Sequence, residues 1–146
     1  MHDLPHRYKA AAVAKAGTNV GVSSPGLVTL EAAGPAEFGG PGDLWSPETL
    51  LVGAVANCFI LSFRAISRAA RLEWHAISCD VEGVLDRVDR KLQFVAFTQR
   101  VLLEVPAAVD PEKARRLLEK AESSCLISNS LTASRELQAE VRVVAG

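Results

Sequence analysis

From Thr49 to Phe63 the chain carries no charged residue, and the apolar side chains there fall on nearly every face of a helix. Ser46 can cap that helix, because Pro47 needs no hydrogen-bond partner in the first turn and Glu48 complements the positive end of the helix dipole. The pattern predicts a long helix running to about Arg71. A helix apolar all round must be covered all round, by a sheet on one side and, most simply, by a second copy of the chain on the other. Asn57 and Ser62 interrupt the segment, which is short for a membrane span and suits a buried helix.

The flanking segments predict an α+β fold. Residues 7 to 16 and 20 to 33 carry small and β-branched side chains with turn signals at Gly17 to Asn19 and at Pro25 and Gly26, which predicts opening antiparallel strands. Gly34 to Trp45, rich in glycine and proline, is a loop of the kind that borders sites. From Trp74 to about Val88, Ile77, Cys79, Val81 and Leu85 alternate with polar residues. Asp86 to Arg90 predicts a hairpin turn and Lys91 to Val105 the returning strand. Asp110 caps a second helix with Pro111 and Glu112 in its first turn and a stripe of Ala114, Leu117, Leu118 and Ala121. Ser123 and Ser124 interrupt it just before Cys125, and a last strand is expected from Arg135 to Ala145. Strands, long helix, hairpin, helix, strand is an order unlike that of a doubly wound parallel sheet. No Gly-x-Gly-x-x-Gly turn or Gly-Lys-Ser/Thr phosphate loop occurs.

At 146 residues the chain is expected to form one domain, 1–146, without a disulfide staple or structural metal. Its net charge of -1, from 16 basic and 17 acidic residues, gives no electrostatic reason to expect nucleic acid or an anionic membrane as partner. Polar and charged residues follow Met1 through Lys9, so no secretory signal is expected and the cytoplasm is the expected location. The three cysteines lack a Cys-x-x-Cys pair and the spacing of a metal site.

A cysteine reacts as its thiolate, and an unshifted thiol is only about 3% ionised at pH 7. Cys58 lies roughly 16 Å along its helix, too far for that helix's dipole to help. Leu51, Ala54, Val55, Leu61 and Ala65 on its face would raise its pKa. A reactive Cys58 is therefore expected to need a cation from another segment or subunit; otherwise it is a small buried hydrophobe. Cys79, on the apolar face of a strand, reads as packing. Cys125 is open between the two readings, since its thiol could sit partly exposed near a helix N-terminus.

The helix start at Ser46, Pro47 and Glu48, with Cys58 ten residues beyond the glutamate, resembles the Asn-Pro-Glu-like signature of the OsmC/Ohr family, the osmotically inducible and organic hydroperoxide resistance proteins. The segment from Cys125 through Leu126, Ile127 and Ser128 is similar to the family's Cys-Pro-Val-Ser-like segment, and the resemblance covers essentially the whole chain. It implies an OsmC-like α+β fold of antiparallel sheets around a long buried central helix, in an intertwined homodimer. It also implies a thiol peroxidase without a cofactor or metal. Cys58 would be the peroxidatic cysteine, Cys125 the resolving one and Glu48 an orienting carboxylate. Leu51, Val55, Phe38 and Trp45 would line a pocket for an organic hydroperoxide, and a dithiol, small or carried by a lipoyl-type protein, would be the reductant. The chain departs from the family where an arginine is expected, near Gly17 to Asn19 or Glu37 to Gly39; Arg7, Lys9 or Lys15 could substitute.

Two other readings follow from the residues. One is a binding or redox-sensing module that keeps the fold and pocket with little peroxide chemistry. The other is a thiol enzyme acting on an acyl group, for which His2, His6 and His75 are the only candidate histidine bases.

Overall fold

Ser46 to Thr49 begin the long helix α1 (Pro47–Ala69) in this computed structural model, which describes residues 2–145; Met1 and Gly146, the ends of the expected domain, lie outside the described residues. The buried Ser46 Oγ accepts the Thr49 N–H at 3.1 Å, and the Ser46 N–H donates to Thr49 Oγ1 at 2.9 Å. This is a capping box with threonine in the place usually held by glutamate or glutamine, and it satisfies two otherwise orphaned donors. At the far end Arg71 adopts a left-handed φ of 55°, its N–H meets the Arg68 carbonyl at 3.2 Å, and the Leu72 N–H meets that of Ser67 at 2.9 Å. The pattern is a Schellman motif with arginine where glycine is usual.

The chain divides into two compact units between Leu51 and Val52. In the N-terminal unit, β1 (Ala11–Val13), β2 (Val20–Ser23) and β3 (Leu30–Ala32) form an antiparallel sheet in that order. These strands are shorter than the sequence suggests, with Gly17 and Gly26 at φ of 81° and 75° turning the chain between them. The following loop holds one 3-10 turn, Ala36–Phe38, and returns to the sheet where the Trp45 carbonyl accepts the Ala33 N–H at 3.0 Å.

In the C-terminal unit, β4 (Ala76–Val88), β5 (Lys91–Val105) and β6 (Ser134–Val143) form a second sheet in the order β4-β5-β6. The turn of the β4–β5 hairpin narrows to Asp89 and Arg90, both left-handed at φ of 49° and 68°, which matches the right-handed twist of the strands. The expected α+β class holds, with one difference in pairing. β6 runs parallel to β5, because α2 (Pro111–Ser124) and α3 (Leu126–Asn129) carry the chain back across the sheet before β6 begins. Asp110 caps α2 as expected, its Oδ1 accepting the Glu112 N–H at 3.0 Å.

The core of this unit joins Phe59 and Phe63 of α1 to Val101 and Leu103 of β5 and to Leu118 of α2. Trp74 packs edge-on against Phe63 at 5.7 Å and donates its indole N–H to Ser67 Oγ at 3.0 Å. The buried residues of α1 are Val55, Phe59, Phe63 and Ser67, a single stripe at four-residue spacing. The all-round burial expected for this helix is thus not achieved within one chain, and Leu61 stays 51% exposed. By length and composition alone α1 could cross a membrane; here its stripe sits in the protein core.

Gly83 of β4 lies closely packed between Val52 of α1 and two phenylalanines of β5. A Cβ there would lie 2.9 Å from Phe97 and 3.0 Å from both Phe94 and Val52. Gly83→Ala is expected to cost about 1–3 kcal/mol by overpacking, and Arg71→Gly to add about 0.5–1 kcal/mol by relieving the left-handed residue. Urea denaturation midpoints of the two variants, one falling and one rising, check both.

Candidate functional site

The C-terminal unit brings together the two cysteines that lie far apart in sequence. Cys58 projects from α1, partly exposed, with the Ser62 hydroxyl one helical turn on at 3.9 Å from its sulfur. Cys125 occupies the single extended residue between α2 and α3, at φ −66° and ψ 107°, and is fully buried rather than partly exposed. The break forms because the Cys125 N–H turns back to the Glu122 carbonyl at 3.3 Å while the Cys125 carbonyl accepts the Asn129 N–H at 2.9 Å. Both thiols are free, and they lie close enough that each alters the ionisation of the other.

The alteration has opposite sign at the two sulfurs. Burial alone would raise Cys58, but the Ile127 N–H, the Cys125 thiol, the Ser62 hydroxyl and the Leu126 N–H together hold it below its ordinary value. Burial pushes Cys125 up; the hydroxyl and N–H of Ser128 oppose this, and the neighbouring Cys58 adds to it. Cys79 is pushed up to about 12, first by burial and then by the charges of Asp80 and Cys125, in keeping with a packing role. Among the described residues of one chain, no charged side chain and no histidine acts on this sulfur; what lowers it are N–H donors at the start of α3 together with the Cys125 thiol and the Ser62 hydroxyl. Among the described residues no group of His, Cys, Asp and Glu could hold a metal.

Of the other expected site residues, Glu48 and Phe38 meet in a cavity of ≈ 450 Å³ within the N-terminal unit, walled mainly by Val20, Val22, Ala32 and Pro35. Glu48 Oε1 is buried there without a hydrogen-bond partner. Leu50 rather than Leu51 lines that cavity, since one residue along a helix turns the side chain by about 100°. Trp45 lies outside its walls and is 52% exposed, its backbone serving the sheet edge. Val55 is fully buried and belongs to the core stripe, not to an open wall. Arg7, Lys9 and Lys15 are exposed residues of the N-terminal unit, as are His2 and His6; His6 Nε2 lies 2.8 Å from the His2 carbonyl.

Sequence reasoning missed Ser62, which its position four residues after Cys58 would have flagged. It also missed Arg135, Glu122 and Gln99. Gln99 is the clearest lost signal, a polar residue inside an apolar strand and fully buried.

The OsmC-like protein family model matches residues 40–140. The uncharacterized protein YmaD of Bacillus subtilis (strain 168) is 30% identical over 136 residues, which cover 88% of this chain and 87% of YmaD. Among solved structures, an OsmC-like protein of unknown function from Vibrio cholerae O1 superposes with a TM-score of 0.82 at 16% identity, covering 94% of this chain and 99% of its own. An organic hydroperoxide resistance protein OsmC from Legionella pneumophila gives a TM-score of 0.77 at 24% identity, covering 97% and 100%. The two structures share the fold, while the family model spans both cysteines and the sheet of the C-terminal unit as far as Glu140 in β6. This chain therefore belongs to the OsmC-like family.

Proposed function

We propose that this protein is a two-cysteine thiol peroxidase that reduces organic hydroperoxides to alcohols. The observation that carries the reading is the contact of two free thiols with opposite shifts, Cys58 lowered and Cys125 raised. The Cys58 thiolate attacks the distal peroxide oxygen, the O–O bond breaks, and the departing alkoxide takes a proton to leave as alcohol. Cys58 is then a sulfenic acid. The Cys125 sulfur displaces its hydroxyl group as water, forming the Cys58–Cys125 disulfide. A dithiol, small or lipoyl-type, reduces the disulfide and is itself oxidised. Cys58 is the accessible sulfur and Cys125 the buried one, so the reductant attacks at Cys58 and Cys125 leaves. The OsmC-like family and a structural neighbour named as an organic hydroperoxide resistance protein support a redox role. The reading takes the chain as a single cytoplasmic domain, 1–146, acting as a homodimer, in which a second copy covers the apolar flank of α1 around Leu61.

One observation favours a second reading, a binding or redox-sensing protein of the same fold. Glu48, the expected orienting carboxylate, presents a buried and unpaired oxygen to an apolar cavity, and neither Gly17 to Asn19 nor Glu37 to Gly39 holds the arginine expected there.

Treating the reduced protein with one equivalent of cumene hydroperoxide separates the two. A peroxidase loses two hydrogens within seconds, and peptide mapping places a disulfide between Cys58 and Cys125. Cys58→Ser lowers peroxide consumption by more than about 10³-fold, and Cys125→Ser leaves a sulfenic acid on Cys58 that dimedone traps. A protein that stays reduced is a binding module instead.

Alkylation by iodoacetamide tests the thiol assignments without peroxide. An acid held below its ordinary value keeps its reactive form down to lower pH, so Cys58 labelling should rise with pH and reach half-maximum below about 8.5. Cys79, at about 12, should remain unlabelled at pH 8, and Cys125 should label only above the Cys58 midpoint. A Cys58 midpoint at or above about 8.5 contradicts the assignment.

A further inference from the structure

The donors that face Cys58 belong to a short segment, and a segment of four helical residues cannot hold its own orientation. Something outside it must fix the peptides of Leu126 and Ile127. Arg135, the second residue of β6, does so with three separate donors. Its Nε meets Glu122 Oε1 at 2.6 Å, its Nη1 meets Asn129 Oδ1 at 2.8 Å, and its Nη2 donates to the main-chain carbonyl of Glu122. Glu122 lies in the last turn of α2, and Asn129 ends α3, so one guanidinium grips the segment on both sides of Cys125.

Two shared atoms carry the grip to the cysteine itself. The Glu122 carbonyl that receives Arg135 also receives the Cys125 N–H at 3.3 Å, and Asn129, whose side chain receives Arg135, donates its own N–H to the Cys125 carbonyl at 2.9 Å. Asn129 Nδ2 further ties back to the Ser123 carbonyl at 3.2 Å. The Glu122 carboxylate is steadied by Gln99 Nε2 at 3.2 Å from the neighbouring strand β5. Arg135 and Glu122 are 23% and 20% exposed, so their ion pair is largely shielded from water, while Asn129 on the α3 side is exposed.

We propose that Arg135 is a positioning residue for the thiol site: it clamps the end of α2 to the end of α3 and thereby holds the Cys125 thiol and the Leu126 and Ile127 N–H groups against the Cys58 sulfur. The inference rests on Cys58 acting as the nucleophile, as proposed above. Its action is geometric. The Arg135 charge is matched by Glu122, and three acceptors in different directions need the planar fork that an ammonium lacks. The Arg135 side chain meets Glu122 and Asn129 rather than a cysteine sulfur.

The test is the pH profile of Cys58 alkylation in Arg135→Ala and Arg135→Lys, with peptide mapping to separate the cysteines and circular dichroism to confirm folding. Arg135→Ala should move the Cys58 midpoint to higher pH and leave roughly three- to tenfold less thiolate at pH 7. Arg135→Lys keeps the charge but loses the fork, and should recover only part of the shift. An unchanged profile in folded Arg135→Ala, or full recovery in Arg135→Lys, overturns the proposal. If Arg135→Ala does not fold, Asn129→Ala decides: it cuts only the α3 side of the clamp and should give a smaller shift of the same sign, and no shift overturns it. Alkylation consumes no peroxide, so a wild-type protein inert to cumene hydroperoxide would sink the peroxidase reading while the profile still judges the clamp.

Discussion

A thiolate set among apolar side chains persists only where fixed donors replace the water it has lost. Burial by itself would push Cys58 away from ionisation, and a sulfur on the middle of a long helix gains nothing from that helix's own dipole. The remedy here is structural. Breaking the polypeptide between α2 and α3 turns two backbone N–H groups and a second thiol toward Cys58. Within the C-terminal unit, α2 leads into that break and β6 follows α3 out of it.

The pairing also divides labour between two chemically identical groups. A hydrogen bond between two thiols has one donor and one acceptor, and the surroundings decide which is which. Cys58, facing N–H groups and partly open to solvent, is the better acceptor; Cys125, fully buried, is held as the donor. The same contact therefore lowers one sulfur and raises the other. Access follows the same split, since only Cys58 can be reached from outside without moving the core.

The elements of the fold were legible in the sequence because their signals are local. Ser46 with Pro47, Asp110 with Pro111, and the alternation of Ile77, Cys79, Val81 and Leu85 each act within one turn or one strand, and each reappears in the structure. The parallel pairing of β6 was not legible, because it depends on how far α2 and α3 carry the chain and not on any residue in β6. The two cysteines were found by their neighbours in sequence. What lowers Cys58 was not, since it depends largely on backbone N–H groups, which no pattern reveals. Arg135, Glu122, Asn129 and Gln99 were hidden for a related reason: they come from β6, α2, α3 and β5, and only tertiary structure makes them one network.

Activation by neutral donors has different physics from activation by a cation. A unit charge acts at several ångströms and tolerates small displacements, because its attraction falls only as the inverse of distance. An N–H dipole loses its hold steeply once the bond bends or lengthens. A site that relies on dipoles must therefore be stiffer than one that relies on an arginine beside the sulfur. Among the described residues no arginine acts on Cys58, and on the proposed reading the one arginine in the network holds the peptides that do. Its charge then serves the scaffold behind the sulfur, where it supplies rigidity rather than potential.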